Sequence, residues 1–396
     1  MKFLKRFFSE YFFINIFIFS CISLLSLIVL NFSFFDPFTQ AFEDFTLTDL
    51  HYSRIKKQDQ IYNGPLVLIN LENKERKELA FLLQRIQEGK PKVIGLDVVF
   101  QSRKEADDSL LRKQFSLHNN YVFSYFANFD QPEKNIYNDS FFTTVKNGYA
   151  NMVAENREYS TIRYYYPFYK EQEAFTTSII RAWNPELLSK LNDHKGKPLE
   201  IHYYGNLENF RYYNFEEIMD PTFDPKLLNG KIVVLGYLGM PGVNSRIDED
   251  KLFTPLNSRL SGRSYPDMYG SVIHANILRM VLEKDYIKVI PGWLMAILTF
   301  FIVWLLLPPT CALLFKGDLW FNTIGTLAQL TGTIVIVFLS LLSYEVLNIK
   351  FDPGLLLGCL VLLPTLLNLY EAFLKFLYYK LKLKFRSRFL SIDDHA

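Results

Sequence analysis

The stretch PLVLINLENKERKELAFLLQRIQEGKPKVIGLDVVF (Pro65–Phe100) decides the fold. Asn63-Gly64-Pro65 is a turn signal, and PLVLINL (Pro65–Leu71) behind it is an apolar run of strand length. Lys74–Gln87 then sets Leu79, Leu82, Leu83 and Ile86 on one helical face, and Gly89 and Pro91 end that pattern. KVIGLDVVF (Lys92–Phe100) is a second apolar run. Strand, helix and strand within about 35 residues match the size of a right-handed βαβ crossover.

Outward from this unit the alternation continues. Asp107–Phe115 reads as helix and Tyr121–Phe126 as strand; Thr161–Tyr169 reads as an aromatic strand and Glu173–Trp183 as helix. Glu200–Gly205 and Lys231–Gly239 are two further strand patterns, and Met268–Asp285 is an amphipathic helix pattern leading almost directly into an apolar segment. Val/Ile-rich strands interleaved with helices predict an α/β sandwich around a mainly parallel sheet. No repeat of fixed period and no low-complexity tract interrupts it.

Four other segments are too apolar for that sandwich. They run over about 12–35, 289–307, 322–346 and 354–374, each near the 20 residues that span a bilayer as helix. Pro308-Pro309 is expected to close the second. The first is longer than a signal-peptide core, lacks an Ala-x-Ala-like site, and stays apolar from Cys21 through Leu30, so it reads as an uncleaved anchor. The composition agrees: charged residues are 21% and hydrophobic residues 49%, with a mean hydropathy of +0.06, where a soluble protein carries about 25% charge.

Positive charge orients the spans. Lys2, Lys5 and Arg6 precede the first, and Lys375, Lys380, Lys382, Lys384, Arg386 and Arg388 follow the last. Both ends are therefore expected in the cytoplasm. That leaves 1–11 as a basic cytoplasmic start, 36–288 as a large extracytoplasmic domain, and 375–396 as a short basic tail. The tail fits a stop-transfer flank on anionic lipid or a docking site for a partner. With roughly 22 residues after the fourth span, against the 100 or more of a typical domain, no kinase, cyclase or phosphodiesterase is expected there.

Several function classes drop out. A net charge of +2 gives no field for nucleic acid. Cys21, Cys311 and Cys359 all lie in or beside apolar segments, which leaves the large middle region without a disulfide framework or a cysteine zinc site. Glu345 and Glu371 sit near helix ends, where they can be solvated, while Gln329 and Asn368 suit helix packing; neither pattern marks a transport path.

These stretches, in this order, resemble the CHASE type-2 extracellular sensor family, a bacterial input domain found ahead of cyclases and kinases. The matching residues are DFTLTDL (Asp44–Leu50), PLVLINL, PKVIGLDVVF (Pro91–Phe100) and ADDSLLRKQF (Ala106–Phe115). They continue with GYANMVAENREYSTIRYYYP (Gly148–Pro167), GKIVVLG (Gly230–Gly236), DKLFTPL (Asp250–Leu256) and YGSVIHANIL (Tyr269–Leu278). The resemblance also implies one span before the domain and three after it, and it covers nearly the whole chain. It implies a sensing role and dimers, but supplies no ligand. Relatives usually carry an output module after the last span, and this sequence stops, which puts direct signal output in doubt.

Candidate ligand-binding residues follow from chemistry. Asp97 sits near the end of an otherwise apolar strand, where a carboxylate needs a partner; it would either cap a loop or pair with an arginine, or face a ligand, since ligands collect at the carboxyl ends of parallel strands. His274 and Asn276 lie in SVIHANIL; His274 would be buried and hydrogen-bonded, or act as a pH-responsive group. Lys251, Tyr265 and Tyr269 are placed at a pocket rim, with Asp267 as N-cap of the last outer helix. Gly236, Gly239 and Gly242 suggest a turn more than a phosphate loop, their spacing being G-x-x-G-x-x-G. Asp248, Glu249 and Asp250 read as a solvated face, without calcium-loop spacing. No catalytic constellation, metal site or cofactor motif is expected, so the sequence is not read as an enzyme.

Two functions remain. One is a sensor that binds a small ligand or envelope component and passes a shift, through a last outer helix continuous or nearly so with the second span, to a separate cytoplasmic signalling partner. The other is a non-sensing envelope scaffold or accessory subunit of a membrane complex. Beyond these, the expected partners are the lipid bilayer and a second copy of the chain.

Overall fold

The structure, a computed structural model, describes residues 2–31, 49, 51–55, 60–103, 108–142, 146–152, 161–242, 250–257, 265–383 and 387–390. Of the stretches singled out above, residues 32–36, 44–48, 50, 106–107, 153–160, 248–249, 264 and 384–386 lie outside the described residues, as do the side chains of Lys2, Lys5, Arg6 and Arg388. Two compact units divide the chain: Asp44–Ile287, and Met1–Glu43 with Lys288–Ala396.

In chain order the chain opens with α1 (Lys2–Asn31). The α/β unit follows with β1 (Leu66–Asn70), α2 (Arg76–Glu88), β2 (Val93–Leu96), α3 (Asp108–Leu117), β3 (Tyr121–Tyr125), β4 (Asn147–Tyr149) and α4 (Phe175–Trp183). It continues through β5 (Tyr212–Tyr213), α5 (Phe215–Met219), β6 (Ile232–Gly236), β7 (Lys251–Leu252), β8 (Met268–Tyr269) and α6 (Gly270–Glu283). Then come α7 (Gly292–Leu314), α8 (Asp318–Leu347) and α9 (Gly354–Tyr379).

Six strands form one sheet in the order β4-β3-β2-β6-β1-β5, and every neighbouring pair is parallel. Residues Leu66–Ile69, Val93–Leu96, Tyr121–Tyr125 and Ile232–Leu235 are buried throughout, as strands covered on both faces must be. On one face α2, α3 and α5 supply Leu79, Leu82, Leu83, Ile86, Leu111, Phe115, Phe215 and Ile218, packed on Val67, Ile69, Ile94, Leu96, Val233 and Leu235. The crossovers β1-α2-β2, β2-α3-β3 and β5-α5-β6 use this same face and run in the same direction across the sheet, as a single crossover hand requires.

The other face carries α4 and α6. Their approach depends on missing side chains. A Cβ on Gly95 would lie 2.6 Å from Ile179 Cδ1 of α4, and one on Gly236 would lie 1.9 Å from Ser271 Oγ of α6.

Three sequence expectations change here. Thr161–Tyr169 is not one strand: Tyr164–Tyr165 pairs with Leu199–Glu200, and Phe168–Tyr169 turns back on Gln172–Glu173. Pro167 breaks the run, and Lys170 and Glu171 take positive φ (45° and 66°), as a tight hairpin turn demands. Asp267 is not the N-cap of α6, because β8 intervenes and Tyr269 holds that position. The last outer helix, expected to be continuous or nearly so with the next, is not continuous with it: α6 stops at Lys284 (φ 55°), where Asp285 N donates to Met280 O at 3.0 Å, and α7 begins at Gly292.

In the second unit, four helices among the described residues are long and apolar enough to cross a membrane: Glu10–Leu27 within α1, then Gly292–Leu314, Phe321–Leu347 and Gly354–Tyr379. Tyr11, Ile14, Ile18 and Ile22 form one stripe of α1, packed with Val303, Leu307 and Cys311 of α7 and Cys359, Leu363 and Leu367 of α9. Pro308-Pro309 does not close α7, which runs on to Leu314. The prolines remove two intrahelical N–H donors, but Thr310 Oγ1 donates back to Leu306 O at 2.7 Å and the helix persists. Gln329 Nε2 bonds the Leu360 and Val361 carbonyls at 3.0 and 3.1 Å, joining α8 to α9 as its position suggested.

Candidate functional site at the carboxyl edge of the sheet

The carboxyl ends of β1, β6 and β2 lie side by side, with Asn70, Gly236 and Asp97 at their tips. Alternation along β2 turns Leu96 to the α2 face and Asp97 to the α6 face. There Asp97, half-buried, accepts a 2.6 Å hydrogen bond from Ser271 Oγ in the first turn of α6. Its partner among the described residues is thus a helix hydroxyl, not the arginine considered from sequence. The absent side chain of Gly236 leaves room for that bond.

His274 lies one turn further along α6 and is 4% exposed. Burial holds its pKa below the ordinary histidine value, while the nearby Asp97 charge and a hydrogen bond to the Ala150 backbone pull it back up. Phe175 of α4 meets its ring edge to face at 5.3 Å. Its Nδ1 is buried without a hydrogen-bond partner among the described residues, as is Thr176 Oγ1. Both residues line one small cavity with Tyr149, Asn151 and Tyr165, of ≈ 10 Å³, the size of one water.

Lys251 and Tyr269 face each other across the β7–β8 pair, with Lys251 Nζ 4.8 Å from the Tyr269 ring centroid. Tyr237 meets the same ring edge-on at 5.7 Å, and Gly239, at φ 92°, leaves room for the Tyr269 hydroxyl, which a Cβ there would meet at 2.3 Å. These residues therefore flank the Asp97–Ser271 pair. Tyr265 stands apart, 54% exposed, with its carbonyl held by Asn257 Nδ2 at 3.0 Å. Asn276 is fully buried, and its amide is spent on protein: Oδ1 accepts from Tyr204 N (2.8 Å), and Nδ2 donates to Gly205 O (3.1 Å) and Val272 O (3.0 Å).

Asp267 organises the neighbouring loop. It accepts from Thr254 N (2.9 Å), Thr254 Oγ1 (2.5 Å) and Asn257 Nδ2 (3.3 Å). Burial nevertheless pushes its carboxyl up to about 6 against those bonds.

Sequence reasoning missed Ser271 and Asn70. Asn70 Nδ2 donates to Gly239 O (2.7 Å) and its Oδ1 accepts from Leu238 N (3.0 Å), tying the tip of β1 to the loop after β6. A polar residue closing an apolar strand was the signal that found Asp97, and it applies equally to Asn70. Among the described residues no group of three metal-ligating side chains converges.

The class is thus a six-stranded parallel α/β sandwich with a polar carboxyl edge, on a chain with four helices of membrane-spanning length. The chain belongs to the CHASE2 domain family, whose model matches residues 17–308, well over half of it. CHASE2 is a family of extracellular sensory domains, which supports a sensor role. No curated protein and no solved structure matches the chain.

Proposed function

We propose that this chain is a membrane-anchored sensor whose CHASE2 region lies outside the cytoplasm and passes a signal to a separate cytoplasmic partner. The carrying observation is the Ser271–Asp97 hydrogen bond, which fastens the start of α6 to the sheet edge where ligands of parallel α/β folds collect. A small ligand or envelope component that binds this edge better in one position of α6 than in another shifts that helix, and only such differential binding moves the equilibrium. The chain continues from α6 towards α7, giving the shift a route along the sequence. In this reading the protein sits in a bacterial inner membrane with both termini cytoplasmic, works as a homodimer, and catalyses no reaction.

The alternative reading, an envelope scaffold or accessory subunit, draws on one feature. Phe126, Ile136 and Tyr137 form an apolar patch beside β3, 47%, 43% and 49% exposed, held by reciprocal Phe126–Ile136 backbone hydrogen bonds. Crosslinked pull-down of the full chain from its native membrane, read by mass spectrometry, separates the two. A kinase, cyclase or response regulator among the partners supports the split sensor. Secretion, lipid or cell-wall machinery with no signalling enzyme sinks it and leaves the scaffold.

A further inference from the structure

The amino-terminal edge of the same sheet carries an open groove of ≈ 1010 Å³, between the end of α2 and the turn entering β3. That is the size of a small-molecule site. Its floor is aromatic: Phe115 meets Tyr121 and Phe123 edge-on at 5.2 and 4.9 Å, and Phe142 closes one side. Its rim is amide-rich. Gln87 Nε2 donates to Asn120 Oδ1 at 2.9 Å, and Asn120 Nδ2 donates to Pro91 O at 2.9 Å, so both amides are fixed in place.

Charge at the groove has one sign. Lys90 and Lys146 both line it, with His118, and among the described residues no carboxylate does. Lys146 Nζ is anchored to Asn119 O at 2.7 Å, and Lys90 is held out from the end of α2 at φ 55°. The Tyr121 hydroxyl is buried beside Gln87, on a residue 4% exposed, behind this rim.

We infer that this groove binds a small hydroxylated organic anion, a sugar acid or sugar phosphate. Lys90 and Lys146 take the acid group, the amides of Gln87, Asn119 and Asn120 meet the hydroxyls, and the apolar face of the ring lies on the aromatic floor. Neutral hydrogen-bonding groups outnumber the two ammonium groups, which fits a polyol better than a bare ion. The site is on the opposite sheet edge from Asp97 and stands or falls apart from the sensor reading.

Isothermal titration of the full chain in detergent with D-glucuronate, glucose 6-phosphate, D-glucose and inorganic phosphate tests it. At least one of the two sugar anions should bind saturably, and which one identifies carboxylate or phosphate as the recognised group. The double variant K90Q/K146Q, changed only at exposed positions, should weaken that binding by about tenfold or more, as loss of charge-assisted bonds implies. Failure of both sugar anions to bind, equal binding by K90Q/K146Q, or equal binding of D-glucose or inorganic phosphate would overturn the assignment.

Discussion

Ser271 donates its hydroxyl to Asp97 at 2.6 Å, joining α6 to the tip of β2 across 174 residues of chain. The bond exists because position 236 has no side chain: a Cβ there would stand 1.9 Å from Ser271 Oγ and 3.3 Å from Asp97 Cβ. Gly236→Ala should therefore cost about 2–3 kcal/mol by overpacking, and Ser271→Ala about 2 kcal/mol by stripping a charged acceptor of its donor. Together they should cost less than the sum, since the alanine at 271 removes the nearer of the two atoms that Gly236→Ala strikes and leaves only Ser271 Cβ, at 2.8 Å. Chemical denaturation of the three variants measures this, and simple additivity would mean that the two residues do not share a site.

Asp267 gives a pH dependence of unusual sign. Its folded carboxyl titrates at about 6, above the ordinary value near 3.9, so between those values the folded protein holds a proton that the unfolded chain has released. This contribution is complete below about pH 4 and is lost as pH rises towards 6, up to roughly 3 kcal/mol. Asp267→Asn keeps an acceptor for Thr254 N and Asn257 Nδ2 and does not titrate. Thermal melts should show wild type losing stability relative to this variant over that window; parallel curves would place the titration elsewhere.

His274 works in the opposite direction. Burial lowers its folded pKa, so below the ordinary value near 6.5 the unfolded chain takes up a proton that the folded protein resists. Its contribution is present above that value and is lost as pH falls. His274→Asn, neutral at every relevant pH, should flatten the decline of stability on acidification below pH 6.5. An unchanged slope would mean that another group, not this imidazole, sets it.

The parallel sheet was legible because β1, β2, β3 and β6 are covered on both faces and so read as unbroken apolar runs. Their order was not: nothing in Ile232–Gly236 says that it wedges between β1 and β2, since any such run fits any central place. Asp97 stood out as a charge closing an apolar strand, whereas Ser271 is an ordinary small residue in a helix pattern and acquires meaning only through its distant partner. Asn276 was conspicuous for its polarity in an apolar helix. Its task, holding the Tyr204 and Gly205 backbone, depends on a loop 71 residues away in sequence. At Pro308-Pro309 the local rule that proline ends a helix yielded to packing of α7 among its neighbours.

Two of the family-matching stretches meet through one buried ion pair. Arg163, in TIRYYYP, forks onto Asp49, the second acid of DFTLTDL: Nε to Oδ1 at 3.0 Å and Nη2 to Oδ2 at 2.6 Å, with side chains 12% and 7% exposed. A bidentate pair so shielded from solvent is costly to break from one side, so Asp49→Ala or Arg163→Ala should each destabilise the α/β unit by about 3–5 kcal/mol. Replacing both, as Asp49→Leu with Arg163→Met, leaves neither charge in place and should recover much of that loss. Arg163→Lys keeps the charge but not the fork, and should fall between wild type and the alanine variant. Urea unfolding of the series checks the order. Equal losses for the single and double replacements would mean that packing of the two side chains, not their charge pairing, joins these stretches.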